Sequence, residues 1–338
     1  MLYLEAHKFF KRKLVCVLLL IPILIIVLEV GGYLYQSSGY EEIQQKIEIF
    51  EKHSGILTEA RIKGFWEDYQ ESSSDEGAGQ LYYESEYLEM LIGILPNVSF
   101  DIIFGYYEGW QMFLSGFIDY IQFIPVFIAA VFSGIFTYDK VCGMQEIMLS
   151  ARNGRKKCTK AKVLLAFLVA NSMFLVITCI ALFRMLFITQ GRGWKTNIQL
   201  SVWLMESPLD MSYSVLWLHT LFLSFLAINT ILLITLSVSF LAKSPVTAMC
   251  ISLAILFILR PDVMDIYISD VEIAHKIISL TPCNIINTFN LAQRTPVTIG
   301  SISVQWIYIV EVVYVILLTI GMIFFFQKLA KQQKYFAT

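Results

Sequence analysis

Charge is what this chain has least of. Asp, Glu, Lys and Arg make up 15% of its 338 residues and hydrophobic residues 57%, against roughly a quarter charged and half apolar in a soluble domain. A soluble globular fold is excluded, and the composition is that of an integral membrane protein. Catalytic signatures are missing as well. There is no H-E-x-x-H and no G-x-S-x-G, and the four histidines, His7, His53, His219 and His275, fall in separate segments. No G-x-x-x-x-G-K-[ST] loop is present to cradle phosphates, so any ATP chemistry must come from another chain. Cysteine is sparse too: Cys16, Cys179 and Cys250 fall in apolar runs, Cys142 and Cys158 in a basic connection, and Cys283 stands apart. That distribution offers no outer disulfide pair, and Cys142 and Cys158 lack the partners of a zinc site.

What the chain does have is long apolar runs. A bilayer core takes about 20 residues of helix to cross, and that ruler gives spans at 14–35, 115–138, 163–189, 215–242, 245–259 and 304–326. The expected fold is all-α: a polytopic membrane protein of six transmembrane helices, with a small helical extracellular cap between spans one and two. The fifth span is short, so it crosses a thinned bilayer or forms half of a broken helix.

Basic residues set the orientation, because Lys and Arg near span ends stay in the cytoplasm. Six spans collect fifteen of them on one side: Lys8, Lys11, Arg12 and Lys13, seven in the connection 139–162, then Lys243, Lys328, Lys331 and Lys334. Both termini, including the tail 327–338, are therefore expected in the cytoplasm of a multi-pass plasma-membrane protein. The first apolar run is interrupted by Pro22 and Glu29 and has no small-x-small site after it, which reads as an uncleaved span. Before it, residues 1–13 alternate Leu2, Tyr3, Phe9 and Phe10 with His7, Lys8, Lys11 and Arg12. Such a helix is suited to lie in the headgroup plane against membrane lipid, with a frayed basic tail as the alternative.

Residues 36–114 form the one sizeable outer region. Ile43, Ile47 and Phe50 recur at helical spacing, as do Ile62, Phe65 and Tyr69; 72–80 reads as a loop and 81–95 as a further helical block ended by Pro96. Between 36 and 110 there are fifteen Asp and Glu against four Lys and Arg. That surplus would attract a cationic ligand such as a basic peptide, or it reflects only the scarcity of Lys and Arg in outer loops. Asn97-Val98-Ser99 matches a glycosylation sequon that nothing else in the chain supports. The remaining outer connections are 190–214 and 260–303, the latter expected as an extracellular or re-entrant segment.

The segment TYDKVCGMQEIMLSARNGRKKCTKAK, 137–162, gathers seven cations between two apolar runs. Asp139 to Ala151 places Val141, Met144, Met148 and Ala151 on one helical face, and a basic turn NGRKK follows. A short helix with one apolar face fits a groove on a soluble partner. On Phe136, Asp139, Gly143, Met148, Leu149, Ser150, Arg155 and Lys162, the chain resembles the membrane subunits of ABC exporters of the second export type. Those share six spans, an interfacial N-terminal helix and an acidic-led coupling helix between spans two and three. Asp139 stands where that family more often has Glu, and SLTPCNIINTF at 279–289 resembles its Pro-containing outer segment. The resemblance implies docking of an ATP-binding cassette subunit through Asp139, Gly143, Met144, Met148 and Arg155. It implies no cofactor in this chain, ATP and Mg in the partner, a second permease copy or homologue, and no nucleic acid.

Four charges fall inside the expected spans: Glu29, Asp119, Arg184 and Glu311. Each is costly in hydrocarbon and is expected to face a partner or a cavity. Matching depths suggest an Arg184–Glu311 ion pair, while the polar lining of a translocation path is the other reading. Asn171, Asn229 and Gln305 would extend that path or bond between helices. The functions in competition are an export permease, a non-transporting receptor or immunity protein that binds a peptide through its acidic cap, and an intramembrane enzyme. The last is disfavoured by the missing catalytic groups.

Overall fold

The computed structural model describes residues 2–11, 37–72, 101–143, 154–201, 203–258, 272–299 and 302–335, with Val15, Leu20, Leu24, Met90 and Gly93. The span expected at 14–35, with Glu29, and the helical block expected at 81–95 lie, but for those isolated positions, outside the described residues.

Helix dominates. In chain order the helices are α1 (Leu2–Phe10), α2 (Ser37–Lys52), α3 (Glu59–Ser72), α4 (Glu108–Phe132), α5 (Thr137–Val141), α6 (Gly154–Thr189), α7 (Tyr213–Leu241), α8 (Pro245–Ile258), α9 (Glu272–Ser279), α10 (Thr288–Ala292) and α11 (Trp306–Tyr335). Two short antiparallel ribbons accompany them. In one, β1 (Gly55–Ile56) sets Gly55 opposite Phe104 of β2 (Ile103–Phe104); in the other, β3 (Val297–Ile299) sets Val297 opposite Val304 of β4 (Ile302–Val304).

Four stretches are long and apolar enough to cross a membrane: Glu108–Val141, Lys157–Phe187, Tyr213–Leu241 and Trp306–Lys328. They correspond to the expected spans two, three, four and six. α8 is apolar but has 14 residues, about 21 Å at 1.5 Å per residue, against a hydrocarbon core of ~30 Å. Boundaries shift where tertiary contacts intervene. α4 begins at Glu108, seven residues before the apolar run, and α6 begins at Gly154, so most of the expected basic turn is helical. Lys and Arg are good helix formers, and nothing in NGRKK after its glycine breaks a helix.

The bundle is arranged around α7, which packs against α4, α6, α8, α10 and α11. Apolar side chains on all its faces suit a central helix, and Leu216, Leu223, Ala227 and Ile231 are fully enclosed. Trp217 sits with its ring centroid 4.7 Å from Phe113 and 4.5 Å from Phe117 of α4. Asn171 of α6 and Asn229 of α7 exchange amide hydrogen bonds of 3.0 and 3.1 Å. These two asparagines therefore join helices, the plainer of the two expectations.

A second, smaller core sits at the other end of α4. Ile47, Phe50, Leu57, Ile62, Phe65, Ile102, Phe104 and Tyr106 pack there with Leu200 and Met205. The helices expected from the spacing of Ile47, Phe50, Ile62 and Phe65 form and pack on one another, and this small core recruits the connection after α6, which periodicity alone did not assign to it. That connection turns at Gly193, whose φ is +82° and where a Cβ would lie 2.0 Å from the Tyr106 carbonyl oxygen, so only glycine fits. Trp110 Nε1 donates to the Arg192 carbonyl at 2.8 Å, and Arg192 pairs with Glu51 of α2. The cap is thereby tied to the top of the bundle.

Within the cap, Asp68 of α3 accepts a hydrogen bond from His53 Nε2 at 2.6 Å and pairs with Lys52. Lys52 first, and His53 second, hold its carboxyl below the ordinary range. A lowered carboxyl pKa contributes stability that is fully present above the unfolded value of about 3.9 and is lost as pH falls through the folded value. Acidification should therefore loosen the α2–α3 packing in a step that Asp68→Asn abolishes, read from Trp66 emission. An identical acid step in Asp68→Asn would assign the loosening to another carboxylate.

Candidate functional site

The segment that joins α4 to α6 is held at one end of the bundle by two lysines. α4 stops at Phe132; a turn follows, and α5 occupies Thr137–Val141. Lys162, only 5% exposed, pairs with Asp139 and donates at 2.8 Å to the Ile135 carbonyl, with the Phe136 ring centroid 5.8 Å away. Lys140 reaches the opposite neighbour, donating to the carbonyls of Phe240 at 2.6 Å and Ala242 at 2.9 Å. Those carbonyls end α7, where a helix leaves acceptors unsatisfied and favours a cation. Phe136 N–H donates to Ser239 Oγ at 3.2 Å, closing a third link to α7.

α1 packs on the same end. Glu5 is buried and accepts from Cys158 Sγ of α6 at 3.4 Å, with Lys8 at 3.7 Å. Phe9 stacks on Phe132 at 5.4 Å, with 9° between the rings. The expectation that its aromatics all face lipid is corrected: Phe9 is core, while Tyr3, Leu4 and Phe10 remain exposed.

Of the helix expected over 139–151, only the first residues lie among those described. α5 ends at Val141 and the chain turns through Cys142 and Gly143, whose φ of +65° stops a helix. Met144 and Met148 lie outside the described residues, and Arg155 falls in the first turn of α6 with its side chain undescribed. Asp139 faces inward to Lys162, whereas Val141 is 62% exposed. The matched set Phe136, Asp139 and Lys162 is brought together in space.

The charges inside the bundle find partners other than those depth alone suggested. Glu311 of α11 meets His219 of α7, Oε1 to Nδ1 at 2.5 Å, with the Tyr308 ring against the imidazole at 5.3 Å. Arg184 of α6 donates from Nη1 to the Tyr120 hydroxyl of α4 at 3.2 Å. The expected Arg184–Glu311 pair is not formed. His219 was the residue missed: it lies six positions into α7 and Glu311 five into α11, so depth matching extended to histidine would have found the pair. Gln305, offered as a further polar lining group, donates instead to the Pro208 carbonyl at 3.4 Å.

Asp119 lines a cavity of about 770 Å³ between α4, α8 and the turn before α10. Gln122, Pro125, Leu253, Phe257 and Ile286 form its walls. Pro125 has no N–H to donate to residue 121, so the α4 ladder is interrupted at this wall. Asp119 is the one acidic residue among the described lining groups, and with Gln122 it stands in a wall that is mostly apolar. No group of three His, Cys, Asp or Glu converges on a metal-sized site among the described residues.

Compared with known proteins, the chain matches no family model, no curated protein and no solved structure.

Two outcomes follow from these contacts. Asp139→Asn leaves the Lys162 ammonium buried without its counter-charge and should destabilise the bundle by about 3–5 kcal/mol; Asp139→Leu with Lys162→Met should recover most of that in a detergent unfolding titration. Equal losses in the single and double variants would remove the pair as a structural joint. For the inner charges, His219→Ala and Glu311→Gln should couple by about 0.6–1.7 kcal/mol. Arg184→Gln and Glu311→Gln should instead add within about 0.5 kcal/mol. The reverse pattern would restore the pairing that depth suggested.

Proposed function

We propose that this chain is the permease subunit of an ATP-driven exporter, moving an amphipathic substrate outward with energy from a separate ATP-binding cassette subunit. The observation that carries the reading is the clamped end of the bundle: α5, which opens the basic connection, is bonded to α6 through Asp139 and Lys162 and to α7 through Lys140 and Phe136. A displacement of that connection is delivered to three long helices at once, because packed elements move as bodies. The resemblance of the connection to the coupling segment of ABC exporters of the second export type gives it a source of displacement. The absence of a phosphate-binding loop assigns ATP and Mg to the partner.

In this reading α1, the connection 139–162 and the C-terminal tail face the cytoplasm of a plasma-membrane protein, and the α2–α3 cap faces outward, as the basic residues direct. Six spans include residues 14–35 and the short α8, and a second permease copy completes the pathway. The cavity beside Asp119, walled largely by apolar side chains, fits the apolar body of a substrate. A second reading draws on the cap, whose own core and acidic surplus suit a receptor or immunity protein that binds a basic peptide without transporting it.

The two readings part on ATP. The purified chain should hydrolyse none alone and should raise the turnover of a co-expressed ATP-binding cassette subunit. Val141→Arg places a cation on the exposed face of α5 and touches none of the clamp bonds. It should abolish co-purification of that subunit and leave the chain's own unfolding midpoint unchanged. Unaltered co-purification and turnover would take the coupling role from α5. Peptide binding with no effect on any ATPase would favour the receptor.

A further inference from the structure

Between the later turns of α7 and α11 lies a groove of about 640 Å³, apart from the Asp119 cavity and sharing only Phe240 with the clamp. The two helices run in the same direction, since His219 meets Glu311 near their starts and Phe240 meets Phe325 near their ends, at 6.5 Å between ring centroids. Leu233, Ser237 and Leu241 form one wall, and Gly321 and Phe324 the other. At the closed end, a Cβ on Gly321 would come within 2.7 Å of Leu233 Cδ2, so glycine lets the helices meet there. In the middle, Ser237 keeps the groove wide because its side chain is small and its hydroxyl is turned back onto the Leu233 carbonyl at 2.8 Å. From Leu233 to Leu241 the apolar floor extends about 12 Å at 1.5 Å per residue. It opens at Gln327 and the exposed Lys328.

We propose that this groove holds an acyl chain of an anionic phospholipid, with the headgroup phosphate on Lys328. An apolar slot that ends in a cation matches the two parts of such a lipid in order along the helix axis. No acidic residue lines the slot among the described residues, so the charge complement is an anion. A second copy of the chain fits less well, because a two-fold contact groove to groove would bring Lys328 against Lys328. α11 leaves most of its apolar surface uncovered, which gives lipid direct access from the side. The site requires only that the bundle lie in a bilayer, and it stands or falls separately from export.

The full chain, purified in mild detergent, is offered phosphatidylglycerol and phosphatidylcholine with identical acyl chains, and retained lipid is counted by native mass spectrometry. Phosphatidylglycerol should be retained about fivefold better, the effect of one surface cation on an anionic headgroup. Lys328→Gln should bring the two lipids to parity, with Lys328→Arg restoring the preference. Ser237→Phe should fill the slot and lose both. Equal retention by the unaltered chain, or a preference untouched by Lys328→Gln, overturns the site. A dimer that Ser237→Phe converts to a monomer also overturns it, by giving the groove to a second copy.

Discussion

A buried ammonium dictates the architecture at one end of this molecule. Lys162 is almost wholly enclosed, and a charge taken out of water is tolerable only with a counter-charge and acceptors in place. Asp139, the Ile135 carbonyl and the Phe136 ring meet that demand, and all three come from the turn after α4 and the short α5 that it leads into. The turn cannot drift from α6 without stranding the charge. Lys140, one residue on, repeats the logic with the carbonyls that end α7. Two adjacent residues of α5 are thus committed to two different helices, and the segment between α4 and α6 becomes a fixed joint.

The joint gives meaning to what surrounds it. α1 lies on its flank, held by Glu5 on Cys158 and by Phe9 on Phe132, so the N-terminal helix belongs to the same assembly of contacts. Beyond α5 the chain turns at Gly143 and leaves Val141 exposed, which separates an inward, bonded face from an outward, available one. At the opposite end, the cap is fastened by Trp110 and Arg192 and by the close approach of Gly193 to Tyr106. α4 runs between the two attachments, with Pro125 and the Asp119 cavity part-way along it.

Inside the bundle, polar groups are resolved pairwise between helices: Asn171 with Asn229, Arg184 with Tyr120, His219 with Glu311, Thr220 with Thr288 at 2.7 Å. Three of the four pairs have one member on α7. Apolar side chains alone specify the relative rotation of packed helices weakly, because lipid tails are as apolar as leucine. Directional bonds supply what the hydrophobic contacts leave open. The Asp119 carboxylate also stands on the wall of the cavity between α4 and α8.

The sequence by itself determined the class of the molecule and the places where it would be helical. Fifty-seven per cent hydrophobic residues in long runs exclude a soluble core, and helix is the form in which such a run satisfies its own backbone. α7 and the faces of the cap helices were legible for the same reason: burial follows from local composition and spacing, which need no knowledge of neighbours. Only the tertiary structure decided which groups meet. Lys162 was visible as a basic residue before a span, yet its burial against Asp139 depends on α5 folding back across 23 positions. His219 looked like one of several scattered histidines until α11 brought Glu311 to it across 92. Local propensity fixes a helix to within a turn, and the long-range bond that each end can make fixes the rest.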